Sequence, residues 1–185
     1  MRYSFWLAVA FTVTTIQGSA QGANEVSLGL GASLLGTGDV TIISVEGEAI
    51  HHWNRFLSGT AVLGLGYGDT YWYNRHELSA RYGRDATAHL DANFFFSPFG
   101  NNRLYRLSIG TGPSLMYVRD QAYYRYGITE QYDVPNHRLS LGASVIVGQS
   151  IRVSPRYRLG LKAQFQPYLN GDGAVTLLFK VSKTL

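Results

Sequence analysis

The chain has 185 residues, no cysteine, 15% charged residues and a formal net charge of +4. No cysteine means no disulfide framework, no thiol chemistry and no lipid-anchored N-terminal cysteine. The charged fraction lies well below the roughly 25% of ordinary soluble domains, and the cations form no run that would serve as a nucleic-acid patch.

Residues 1–20 read as a secretory signal peptide. Arg2 gives a positive start, Phe5 to Ile16 is an apolar run, and Gly18-Ser19-Ala20 offers small residues for cleavage after Ala20. No other segment approaches the roughly 18 apolar residues of a spanning helix. Residues 21–185 then form one domain.

That domain is a series of strands with period-two alternation. The first, Glu25 to Leu35, sets Val26, Leu28, Leu30 and Leu34 against Ser27, Gly29, Gly31 and Ser33. A turn at Gly36–Asp39 leads to the second, Val40 to Trp53, with Ile43 and Val45 on one face and Ser44, Glu46 and Glu48 on the other. The third runs from Phe56 to Tyr67. Asp69 to His76 is aromatic and polar and reads as a loop. The fourth runs from Glu77 to Phe96, with Thr87, His89, Asp91 and Asn93 on its polar face and Arg84 misplaced on its apolar one. Pro98 to Asn102 turns the chain. The fifth carries Tyr105, Leu107, Ile109, Leu115 and Tyr117; Pro113 within it predicts a bulge or local break. Arg119 to Asn136 reads as the longest connection. The sixth strand holds Leu139 to Val147. The seventh and eighth form a hairpin from Tyr157 to Val181 around Asn170-Gly171-Asp172-Gly173, with Leu178 alone breaking the polar face.

Eight strands with tight turns on one side and longer connections on the other predict a closed, all-β, antiparallel up-and-down transmembrane barrel. Two features set the apolar face toward lipid. The polar face is rich in Gly and Ser, which suits a narrow lumen. The aromatics fall in two belts: Trp53, Phe56, Phe94, Phe96, Phe99, Tyr105 and Tyr157 beside the tight turns, and Tyr67, Tyr71, Trp72, Tyr73, Tyr82, Tyr117, Tyr123 and Phe165 toward the loops. Charges on the polar face must then be paired inside the barrel. They predict a lumen network of Glu46, Glu48, His89, Asp91, Arg106, Arg152, Arg158, Lys162 and Lys180, with His89 and Asp91 close enough to hydrogen-bond.

On these grounds the chain resembles the small eight-stranded outer-membrane β-barrels, the OmpA-transmembrane-domain and OmpX-like group, and the Bacteroidota-type outer-membrane β-barrel domain family. The resemblance covers the mature chain and rests on strand number, alternation and signal peptide. It departs at the end: such proteins close on an aromatic residue, whereas this chain ends Lys183-Thr184-Leu185, with Phe179 the nearest aromatic. The resemblance implies location in the cell outer membrane and contact with outer-membrane lipid and lipopolysaccharide.

The expected role is non-enzymatic, without cofactor or metal: structural, adhesive or envelope-assembling, as a monomer or a subunit of an envelope complex. A protein partner would meet the outer loops, where Tyr71, Trp72, Tyr73, Tyr123, Tyr124 and Tyr126 have the composition of recognition surfaces. The enzymatic version of this fold modifies lipid A by acyl transfer or deacylation, using His with Ser and an acid. His137 and Ser140, three apart on a strand, point to opposite faces; His76 and Glu77 have no fixed Ser partner. His51 and His52 are adjacent and diverge, which is poor for a metal. A small pore and a secreted lipocalin-like binder with an apolar cavity are the remaining alternatives.

Overall fold

Alternation this regular leaves each strand with one apolar and one polar face, and closure into a ring satisfies every strand edge. The computed structural model describes residues 24–36, 40–74, 79–101, 103–126, 129–132 and 136–185, and side chains among these outside 70–82 and 122–135. These described residues hold nine strands: β1 (Asn24–Leu35), β2 (Val40–His52), β3 (Leu57–Asn74), β4 (Ser79–Phe96), β5 (Tyr105–Tyr126), β6 (Thr129–Tyr132), β7 (Asn136–Arg152), β8 (Tyr157–Pro167) and β9 (Gly173–Thr184). Eight of them pair antiparallel, each with its neighbour in the ring, and β9 returns to β1 to close the barrel. The ninth, β6, is a short ribbon that among the described residues pairs with the end of β5 alone.

The apolar face is outside. Leu28 is 68% exposed, Ile43 67% and Leu139 69%, while Glu46, Asp91, Lys162, Gln164 and Gln166 are buried in the lumen. An apolar internal cavity of the lipocalin kind is therefore ruled out. Trp53, Phe56, Phe94, Phe96, Phe99, Tyr105 and Tyr157 at the tight-turn end stand outward, with Trp53 and Phe94 in ring contact at 5.6 Å, while Phe95 is buried on the inner face. Toward the other end Tyr67, Tyr117 and Phe165 are exposed too; the side chains of Tyr71, Trp72, Tyr73, Tyr82 and Tyr123 lie outside the described ones.

Two of the expected loops are strand. β3 continues through Asp69 to Asn74, paired with β4 as far as Asn74↔Ser79, and β5 continues from Arg119 to Tyr126. Polar and aromatic residues pair there because strand ends above a membrane need no apolar face. His76 and Glu77 lie outside the described residues.

Pro113 causes a break without a bulge. The β4–β5 ladder stops at Asp91↔Ser114 and resumes at Phe94↔Thr111 in unchanged register, since proline has no N–H to offer Ala92. Pro167 does the same to β7–β8, where the ladder stops at Val145↔Phe165 and one bridge, Gly142↔Tyr168, follows in the same register.

Glycines on the inner face make room for the large side chains of neighbouring strands. His89 lies over Gly64, its cross-strand partner, and Ile42 covers Gly66 and Gly68. Leu178, the apolar intruder on the polar face, is fully buried against Gly29.

Candidate functional site

Packing in the lumen is layered. Midway, Lys162 Nζ on β8 donates to Glu46 Oε2 on β2 at 2.5 Å. His89 Nε2 faces Glu46 Oε1 at 3.3 Å and Asp91 Oδ2 at 3.8 Å, with hydrogen-bond geometry to neither. The expected His89–Asp91 bond is absent because Asp91 is taken by others. It accepts from Ser114 Oγ at 2.6 Å, Gln164 Nε2 at 2.8 Å and Gln166 Nε2 at 3.2 Å. These donors cluster where the two prolines interrupt the ladders.

Toward the tight turns, Lys180 binds Glu48. Arg106 grips Glu25 with two nitrogens at 2.9 Å each, the forked geometry that makes such pairs strong. His52 Nε2 meets the same carboxylate at 3.3 Å. Arg158 donates to the backbone carbonyls of Arg103 and Asn101, and so ties β8 to the β4–β5 turn. Arg152 sits half-buried beside it on the lumen side of β7. A cavity of about 30 Å³ among Arg106, Lys162, Lys180, Ser108 and Ser150 has room for a water molecule or two.

Toward the outer end an apolar cluster lies in the lumen: Met116, Val118, Tyr168 and Ala174, with Leu35 against them. Above it Arg138 binds Asp172 at 2.9 Å and Asp120 at 3.1 Å. Asn170 Nδ2 donates to Ser140 Oγ at 2.7 Å, which pins the β8–β9 turn to β7.

All nine residues of the expected network lie on the lumen side, and Glu46, Lys162, His89 and Asp91 converge. Glu25, His52, Ser114, Gln164 and Gln166 belong to the same network, beyond the nine expected. Parity alone flags them: Glu25 shares a face with Ser27, and Gln164 and Gln166 share one with Lys162. His51 turns away from His52 to Asn24 Oδ1 at 2.7 Å. His137 is exposed and bonded to Tyr117, whereas Ser140 is buried in the lumen, so they form no nucleophile–base pair. The buried carboxylates of Glu25, Glu46, Glu48 and Asp91 are each met by cations or amide donors, an arrangement that rigidifies a core.

No family model matches the chain, and no curated protein matches it. Solved structures do. A major outer membrane protein of Thermus thermophilus superposes with a TM-score of 0.62 at 10% identity, over 90% of this chain and 100% of that one. The Ail protein of Yersinia pestis, solved with the heparin analogue sucrose octasulfate, gives 0.54 at 11% identity over 90% and 100%. The N-terminal β-barrel domain of Pseudomonas aeruginosa OprF gives 0.53 at 13% identity over 89% and 100%. At such identities the likeness is one of fold: a small antiparallel barrel of the outer-membrane kind.

Proposed function

We propose that this chain is an integral outer-membrane barrel, exported with loss of residues 1–20, that acts without catalysis as a structural, adhesive or assembly component of the cell envelope. The observation that carries this reading is the inversion of the two faces. Leu, Ile, Val and Phe stand on the outside of a closed ring while Glu46, Asp91 and Lys162 are sealed inside. In water that surface would aggregate; in a bilayer it is the surface required. The three structural neighbours, all outer-membrane proteins, support the location. The assignment to the OmpA/OmpX-like and Bacteroidota-type families rests on strand number, alternation and leader. The interacting end is the loop end, on the composition of residues 69–76 and 119–136. His137 and Ser140 on opposite faces weigh against a lipid A-modifying enzyme.

Heat-modifiability tests the reading. The protein in an isolated outer-membrane fraction should migrate differently on detergent gels with and without boiling, and its expression should leave lipid A acylation unchanged. A soluble protein without a shift overturns the membrane reading; altered acylation that His137→Ala abolishes overturns the non-enzymatic one.

A further inference from the structure

We propose that the outward face of β5 and β7 at the outer end binds a lipid phosphate, with an acyl chain of the same lipid lying in a recess on β4. The proposal rests on the outer-membrane reading above. Arg119 on β5 stands directly opposite His137 on β7. Both are exposed, and side chains so paired start about 5 Å apart. Two positions lower on β5, Tyr117 bonds His137 Nδ1 at 2.6 Å with the rings stacked 6.0 Å apart. With the phenol donating to Nδ1, the ring proton sits on Nε2 and becomes a second donor beside the guanidinium.

Arg119 makes no ion pair or hydrogen bond among the described residues. Among the described side chains the neighbouring carboxylates are otherwise engaged. Asp69 is held by Arg84 at 3.3 Å, and Asp120 turns inward to Arg138. An exposed guanidinium that no described side chain opposes suits a phosphate, which it can grip with two nitrogens.

Height points to a lipid headgroup. Arg119 lies about 46 Å of extended strand from Tyr105, or roughly 35 Å along the barrel axis at a tilt of about 40°. That is above an apolar band about 25 Å tall, and Leu139 directly below His137 is still fully lipid-type surface.

The recess points to an amphiphile. β4 places Ala86 opposite Arg119 and Ala88 opposite Tyr117. On the other side β3 places Tyr67 and Leu65 beside the same two alanines. Two methyl groups thus floor a trough walled by β3 and β5, about 9–10 Å apart. It leads down to Leu90, which is exposed and ends it.

The test uses the full-length protein folded in neutral detergent micelles, with thermal protection as the readout. Diphosphoryl lipid A should protect it; phosphatase-treated lipid A and inorganic phosphate alone should not at the same concentration. The double variant Arg119→Gln, His137→Gln should lose at least tenfold in apparent affinity while keeping its gel-mobility shift. Ala88→Phe, which fills the trough, should weaken the lipid with Arg119 intact. Equal affinity in wild type and the double variant, or for lipid with and without phosphate, overturns the site. Equal protection by inorganic phosphate overturns the lipid as occupant. Loss of the wild-type gel shift would instead overturn the membrane reading itself.

Discussion

Lys162 is 1% exposed and its ammonium bonds Glu46. Both ions have left water, and their attraction must offset that loss. Removing one partner leaves the other charge buried alone. Lys162→Met should therefore lower stability by about 3–5 kcal/mol, read as a fall in the urea midpoint of unfolding from micelles. Adding Glu46→Leu should restore most of it, because a well-packed apolar pair is often neutral or stabilising. A double variant as unstable as the single one would show that Glu46 has a separate partner, His89 being the candidate at 3.3 Å. Lys162 and Glu46 were legible as lumen residues from parity alone. Their pairing was not, since they are far apart in sequence and meet only through the closed ring. The same holds for Asp91: a spacing of two pointed to His89, whereas Gln164, Gln166 and Ser114 claim the carboxylate from across the lumen.

At the scale of the strand, the seam where β9 meets β1 depends on glycine. A Cβ on Gly31 would lie inside the Leu177 carbonyl oxygen and against the Leu178 backbone. Gly31→Val should therefore prevent closure in the present register and abolish the gel-mobility shift. Gly36, at a φ of 67° with nothing near it, provides the contrast. Gly36→Ala carries only the left-handed backbone cost of about 1–2 kcal/mol and should keep the shift. If Gly31→Val folds normally, the seam tolerates a shifted register. Strand number, order of faces and the break at Pro113 could be read from the sequence, since period-two alternation is strong wherever one face is lipid-directed; the break at Pro167 was not read there. The outer ends of β3 and β5 could not. Above the membrane both faces meet water, so alternation fades while backbone pairing continues from Asp69 to Asn74 and from Arg119 to Tyr126.

For the molecule as a whole, the question is whether the barrel conducts. Eight strands enclose an interior that side chains can fill, and here they fill it in layers. Arg106, Glu25 and His52 occupy the tight-turn end, Lys162, Glu46 and Asp91 the middle, and Met116, Val118 and Tyr168 the outer mouth. An ion entering from the tight-turn side reaches the cavity of about 30 Å³ at Lys162 and Lys180. To go further it must part the Lys162–Glu46 pair, then the amide hydrogen bonds on Asp91, then the cluster of Met116, Val118 and Tyr168, whose one hydroxyl is already bonded to Ser114. Each barrier costs several kcal/mol for an unaccompanied ion. Purified protein in a planar bilayer should therefore give no steady ohmic conductance. Trimming the layers together, with Glu46→Ser, Lys162→Ser and Tyr168→Ala, should open small steps, provided the triple variant retains its gel shift. Steady conductance in the wild type would mean that the layers part in the bilayer, and a pore would replace the sealed barrel.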